Sequence, residues 1–542
     1  MNSGLRSFFA GVAGMTVAFG IVELVHGLYQ PVPSVALAVA QRVIVATPGS
    51  VTELAIGILR GADIPFLVTM VVVLTLALAG LLARLALRSL IAALVGVVAL
   101  GAIALFASLS EPSVRPFAVL LTVIVALGAG TGVTGFLLYS SGLLRAAASA
   151  PKSPGKDERR AHEREPQGGR SRETGVRGGI ALSRRNFIVV SGAAAAAGLA
   201  SAGAGRLLER EGLQATGSTA PGRKAPTAQE TLPVAPSGAS IDAKGMPPLF
   251  TSNENFYLID TAVISPRINR DNWTLQIKGE VDNPIELSYK ELLGFRTLEK
   301  DITLSCVSNE VGGRLVSNAR WTGVLLSDVL EEAGLGRDKI SSSSEQLVGR
   351  SLDDWTSGFA TDLAFDGRQA LLAFGMNGEE LPVKHGYPVR IVVPGLYGYV
   401  SATKWLKEIE LTSWDFDAYW IKRGWGKEGP IKTQSRIDTI SEGQRLRAGT
   451  IQVGGIAWAP TRGISKVEVS TDDGETWNDA TLATQLDPDV WRLWIYGWNA
   501  TSGDHTVKVR ATDGNGEVQT AKDSPTLPDG ATGYHSVSVA VE

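Results

Sequence analysis

A single cysteine, Cys306, and five histidines, at positions 26, 162, 385, 505 and 535, are spread over 542 residues. One cysteine cannot close an intramolecular disulfide, so stability has to come from packed cores. Only 19% of residues are charged and the formal net charge is -3, which leaves no global nucleic-acid signal. A b-type haem between helices usually takes two axial histidines, and the apolar N-terminal part holds only His26. No Cys-x-x-Cys-His attachment run exists either, so no haem is expected in this chain.

What the chain has in excess is apolar residues, at 44%, and glycine, at 61 residues, and the apolar excess lies before residue 145. Uncharged windows at 65–83, 89–110 and 116–144 are each at or near the length of a membrane-spanning helix. A fourth, 7–30, carries Glu23 and His26 one helical turn apart, either as a proton or quinone site or as an interfacial pair in headgroup water. Residues 31–64 are broken by Arg42, Pro48, Glu53, Arg60 and Asp63 and read as an extramembrane or half-inserted segment. Residues 1–144 are therefore expected to form a four-helix transmembrane region.

Basic residues give the orientation. Arg84 and Arg88 flank one loop, and residues 145–185 hold 11 Lys and Arg against 5 Asp and Glu, so both belong in the cytoplasm. The expected topology is a multi-pass protein of the cytoplasmic membrane with its N-terminus inside. The Gly-, Pro- and charge-rich segment 145–185 reads as a disordered cytoplasmic linker. It ends in Ser183-Arg184-Arg185-Asn186-Phe187-Ile188, followed by a weakly apolar fifth helix at 186–205. This resembles an internal twin-arginine export signal, an ordinary anchor helix being the alternative; either sends the rest of the chain outside. Twin-arginine export carries folded proteins, which implies a cofactor inserted beforehand. Ala202-x-Ala204 fits a signal-peptidase site, and 206–248, rich in Pro, Gly, Ala and Thr, reads as a flexible tether.

From 249 to 429 short strands and helices alternate irregularly, as in an α+β domain. Residues 273–279 read as a strand, 288–293 as a helix with Ser288 and Glu291 in a capping box, and 322–333 as an amphipathic helix. Cys306 lies in Leu304-Ser305-Cys306-Val307-Ser308-Asn309-Glu310-Val311-Gly312-Gly313. A lone cysteine is often a small buried hydrophobe, but a thiolate is also a soft metal ligand and a nucleophile. A second constellation follows: Met376-Asn377-Gly378, then His385-Gly386-Tyr387-Pro388-Val389-Arg390, then Tyr397-Gly398 and Thr403-Lys404-Trp405. Three cationic donors around a Gly- and Pro-punctuated strand suit a phosphate, although each alone reads as a solvated edge.

In this order the motifs resemble the molybdopterin-dependent sulfite oxidase family, over about residues 250–542. The resemblance implies that Cys306 is the molybdenum ligand beside the pterin dithiolene. It implies that His385, Arg390, Thr403 and Lys404 hold the pterin and its phosphate, and that Asn255, Phe256 and Tyr257 form the early loop against it. Arg320, in Asn318-Ala319-Arg320-Trp321, falls on the substrate-pocket arginine; a structural arginine paired with a nearby carboxylate is the alternative. Glu310 stands where sulfite oxidases carry arginine, and Trp355 replaces the pocket tyrosine. A carboxylate there repels an oxyanion.

Residues 430–542 alternate strand and Asp-Gly turn, as in an antiparallel sandwich, and look like the family's immunoglobulin-like dimerisation domain. Trp477, Trp491 and Trp494 are expected to fill its core, a sugar-binding platform being the other use of such residues. The expected protein is a membrane-anchored extracytoplasmic molybdenum oxidoreductase that transfers an oxygen atom to or from a small oxyanion or oxide. Sulfite oxidation leads, with electrons leaving to a separate cytochrome or quinone and a homodimer formed through the C-terminal domain. Reduction of an S- or N-oxide or nitrate competes, as does a cofactor-free membrane scaffold.

Overall fold

In an apolar setting only a helix satisfies its own peptide groups, and the Leu-, Val- and Ala-rich windows of the N-terminal part fold accordingly. A computed structural model describes residues 2–29, 31–47, 63–111, 114–143, 183–215, 222–262, 265–266 and 268–542. The chain divides into two units, Met1–Thr216 and Gly217–Glu542. The first contains α1 (Ser3–Leu28), α2 (Val35–Ala46), α3 (Asp63–Ala86), α4 (Leu90–Leu109), α5 (Pro116–Ser140) and α6 (Arg184–Ala215). All but α2 are long and apolar enough to cross a membrane. The 12 residues of α2 reach about 18 Å, little more than half a hydrocarbon core. Most of the expected basic linker, together with residues 48–62, lies outside the described residues.

Helices α1 and α6 touch along their backbones. A Cβ added to Gly198 would sit 2.4 Å from the Thr16 carbonyl oxygen, and one on Gly205 2.1 Å from that of Glu23. Glycine permits this approach and van der Waals packing rewards it. The paired positions rise together along both helices, so the two run parallel. Arg206 of α6 meets Glu23 of α1, Nε to Oε2 3.1 Å, and Ser34 donates to the other carboxylate oxygen.

The second unit begins with a segment expected to be a tether. Instead α6 continues to Ala215, and from Gly222 the chain lies along a sheet: Ala225 N–H donates to Gly378 O, Glu230 N–H to Thr297 O, and Glu299 N–H back to Glu230 O. Its first part is held by the unpaired backbone of the sheet edge, and further on Ala239, Ile241 and Met246 pack on the core.

Two five-stranded sheets follow. One runs β2 (Ile285–Ser288), β1 (Thr274–Gly279), β10 (Leu406–Thr412), β5 (Gln346–Ser351), β6 (Thr356–Ala360), with β1 and β10 parallel. The other runs β3 (Thr297–Ser305), β4 (Val316–Leu325), β7 (Leu371–Met376), β8 (Glu379–Glu380), and β9 (Arg390–Val392) pairs with β7. Ser288 and Glu291 form the expected capping box on a short helix, Tyr289–Leu292. The helix expected over 322–333 begins only at Leu326. Residues 322–325 belong to β4, because Thr322 and Val324 are β-branched, buried and held between β3 and β7.

The C-terminal part carries two further sheets, β11 (Gln434–Ile437), β13 (Gly449–Trp458), β17 (Arg492–Ala500), β16 (Thr481–Leu482), and β12 (Gln444–Leu446), β19 (His535–Val541), β18 (Gly503–Asp513), β14 (Ile464–Ser470), β15 (Asn478–Asp479). Val453, Trp494 and Trp498 of the first share a core with Val467, Val469, Val507, Val509 and Val537 of the second. Of the three tryptophans expected there, only Trp494 is in that core. Trp491 packs on the preceding domain and donates to Leu249 O, and Trp477 lies under Arg510 at 4.2 Å.

Candidate active site

Cys306 follows the last residue of β3 and opens the loop to β4. Its N–H donates to Leu315 O at 2.9 Å, which closes the loop. Burial pushes the thiol up, and the Ser308 hydroxyl, 2.9 Å from Sγ, acts against this together with the Ser308 and Val307 N–H groups. These donors offset part of the rise without reversing it, so in this state the sulfur stays a thiol at neutral pH.

The loop at 251–260 supplies the facing wall. Asn377, held at φ 54°, accepts from Arg320 N–H and donates to Thr251 O and Asn253 Oδ1. Phe256 is buried edge-on to Trp321 and His385 and stacks on Tyr257 with centroids 5.4 Å apart. Burial first, then the Cys306 charge, raises the Tyr257 phenol, and Arg390 acts the other way, so sulfur, phenol and guanidinium share one field. Asn255 is exposed in the turn, its N–H on Ser252 O.

The residues expected to anchor a pterin phosphate converge opposite. Nε2 of His385 lies 2.8 Å from Asn253 O, which can only accept, so Nε2 carries the proton. Burial, then Arg390, Lys404 and Lys384, bring His385 down to about 4, so it is neutral at neutral pH. Arg390 lies over the Trp321 ring at 5.1 Å and donates to the His385 and Ile391 carbonyls, and burial brings it down to about 10. Among the described residues no carboxylate ion-pairs with it. The acid that acts on it, Asp260, is paired with Lys404. Thr403 Oγ1 bonds Ser357 Oγ at 2.6 Å.

One expected residue, Arg320, lies away from the Cys306 end of the strand. Arg320 sits opposite Asp301 in the β3/β4 ladder, four positions from Val316, which faces Ser305. That is on the order of 14 Å along the strand from the Cys306 end. It grips Asp301 with Nε and Nη2 at 2.8 and 3.0 Å and donates to the carbonyls of Leu232 and Pro233. The structural alternative describes it, because strand pairing puts Asp301 across from it. Trp355 sits in the β5–β6 turn, whose Asp353 acts on the Lys404–Asp260 pair. Glu310 is exposed on the Cys306 loop.

Tyr397 was not expected at the site. Burial, then the Cys306 charge, raises its phenol to about 12 while the Lys432 N–H opposes this. A Cβ on Gly530 would fall 2.7 Å from its hydroxyl. Its motif was visible, but the C-terminal loop that fixes it lies over a hundred residues away in the sequence.

The site fits a molybdopterin: a buried guanidinium awaits an anion, and a lone thiol stands where no three His, Cys, Asp or Glu side chains among the described residues converge. A metal here would therefore need ligands from outside the protein, as a pterin dithiolene provides.

Comparisons agree. The family models for the oxidoreductase molybdopterin binding domain and the Mo-co oxidoreductase dimerisation domain match residues 262–420 and 430–539. Human mitochondrial sulfite oxidase is 28% identical over 300 residues, 47% of this chain and 54% of that one. An uncharacterised oxidoreductase, YuiH, of Bacillus subtilis (strain 168) is 30% identical over 184 residues, 34% of this chain and 87% of that one. The sulfane dehydrogenase SoxCD structure from Paracoccus pantotrophus aligns over 56% of this chain and 85% of that one, at 21% identity and TM-score 0.47. The chain spans about half the length of the mammalian sulfite oxidases it matches. From the site and these matches, the chain belongs to the sulfite oxidase family of molybdopterin-dependent oxidoreductases.

Proposed function

We propose that this protein is a membrane-anchored, extracytoplasmic enzyme of oxygen-atom transfer, acting first on sulfite and passing electrons to a separate cytochrome or quinone. The observation that carries the chemistry is Arg390, a buried guanidinium without a carboxylate ion pair among the described residues, which acts on the same Tyr257 phenol as Cys306. When bound, the molybdenum cofactor supplies two-electron oxygen exchange. Cys306 would ligate the metal, Arg390 and Lys404 would hold the phosphate, and His385 would stay neutral and fix the 251–257 loop through Asn253. Tyr257 and Tyr397 would present hydroxyls to the substrate oxygens. Asn255 and Thr403 would line the pterin, and Trp355 would stand on the Lys404 side.

Orientation is supported by the parallel α1 and α6. The α1 N-terminus lies beside Arg84, so basic residues gather at one end, and the exit of α6 lies at the other. Ser183 caps α6 through the Asn186 N–H, so Arg184 and Arg185 open the helix directly before its apolar stretch, which is compatible with a twin-arginine signal. The C-terminal domain would form a homodimer.

A second reading is reduction of a neutral S- or N-oxide, favoured because Asp301 occupies the arginine expected for an oxyanion and Glu310 is exposed near Cys306. Rapid mixing of oxidised enzyme with sulfite decides. Bleaching of the sulfur-to-molybdenum absorption is expected. No bleaching at saturating sulfite, with reoxidation of reduced enzyme by a sulfoxide, selects the second. Cys306→Ser is expected to lose molybdenum and activity, and full retention of both would sink the assignment.

A further inference from the structure

The Cys306 loop is fastened internally by Cys306 N–H to Leu315 O, Leu315 N–H to Asn309 Oδ1 and Gly313 N–H to Glu310 O. Its outer turn is held from another domain. Arg436 on β11 donates Nη1 to Gly313 O at 2.8 Å, and Asp438 aims the guanidinium by accepting from Nε at 2.8 Å. The Arg436 side chain is 10% exposed, so this charge-assisted bond forms largely away from water. His535, first residue of β19, covers the neighbouring glycine: a Cβ on Gly312 would lie 2.2 Å from its Cδ2. Gly312 also has φ +75°, which suits glycine. His535 Nδ1 accepts from Ile437 N–H at 3.0 Å, which joins the two strands that make the clamp.

We propose that Arg436 and His535 are positioning residues through which the C-terminal domain sets the direction of the Cys306 sulfur. This deepens the reading of Cys306 as metal ligand and rests on it. Gly313 is two residues from Leu315, whose carbonyl holds the Cys306 N–H. Freeing the outer turn therefore slackens the closing bond and, with it, the Val307 and Ser308 N–H groups aimed at Sγ. Groups behind a metal ligand act in this way and typically change affinity or activity by about 10- to 100-fold.

Cys306 is the only thiol in the chain, so maleimide labelling of the full chain, made in cells lacking the pterin cofactor, reads this loop alone. Arg436→Ala and His535→Ala should each label roughly tenfold faster than the parent while circular dichroism shows both folded, and Arg436→Lys should label near the parent rate. In cofactor-loaded protein Arg436→Ala should also shift the sulfur-to-molybdenum absorption. Parental labelling and parental absorption in both alanine variants overturn the clamp. If Arg436→Ala fails to fold, Arg436→Leu, which keeps the bulk and offers no donor to Gly313 O, is read in the same assay against the same thresholds. Molybdenum retained by Cys306→Ser would instead overturn the ligand reading, whatever the labelling rates.

Discussion

Two arginines of one sheet live in opposite surroundings. Arg320 on β4 is satisfied: Asp301 takes it bidentately, Glu299 adds a carboxylate at 3.9 Å, and two carbonyls of the edge segment accept its remaining donors. Arg390 on β9 is buried against Trp321 with two carbonyls and, among the described residues, no carboxylate ion pair. Burying a charge is costly unless it is paired. The first arginine is satisfied by the fold, and the second, on the reading proposed above, would be completed by an anion. Partners, more than a place in a motif, distinguish the two.

Removing each guanidinium tests this contrast. Arg390→Met should give the largest effect, molybdenum and pterin content near background in purified protein. Its cofactor-free form should be as stable as the parent or more so, by about 1–3 kcal/mol, since an unpaired buried charge has gone. Elemental analysis beside chemical denaturation reads both quantities. Retained cofactor with lost stability would place Arg390 with Arg320.

Arg320→Met should do the reverse. It leaves Asp301, 3% exposed, without its partner, which costs about 3–5 kcal/mol. Sulfite kcat/KM in the folded fraction should stay within roughly threefold of the parent. Adding Asp301→Asn should recover part of the stability, because the orphaned charge is removed. A hundredfold loss of kcat/KM at unchanged stability would return Arg320 to the substrate pocket and break the comparison.

The same contrast explains what was legible in the sequence. Cys306, His385, Arg390 and Lys404 stood out as candidates because ordered motifs carry them, and the helices because long uncharged apolar windows announce them. Which of the two readings of Arg320 its partners favour was not legible, since that depends on the β3/β4 register that puts Asp301 opposite, and pairing is long-range information. Residues 222–248 have the composition of a tether, yet their backbone pairs with the sheet edge at Ala225 and Glu230, and Ala239, Ile241 and Met246 pack on the core. The α1–α6 contact is likewise set by glycines that lie far apart in sequence and meet only in the fold. Tyr397 and the Arg436 clamp depend on the packing of the C-terminal domain.

The smallest effect concerns pH, and it separates the anchor side of the site from its clamp. Burial and neighbouring cations hold His385 and His535 at about 4, Arg390 and Lys404 acting on the first and Arg436 on the second. Both start from 6.5, so the unfolded chain binds protons more readily than the folded one between these values. Stability is fully present above about pH 6.5 and falls as pH drops towards 4, by on the order of 2 kcal/mol for each histidine. His385→Gln and His535→Gln should each flatten that part of the denaturation profile, and Arg390→Met should flatten the His385 share alone by lifting its proton affinity. A profile for Arg390→Met as steep as the parent's would mean that the Arg390 charge is not felt at His385.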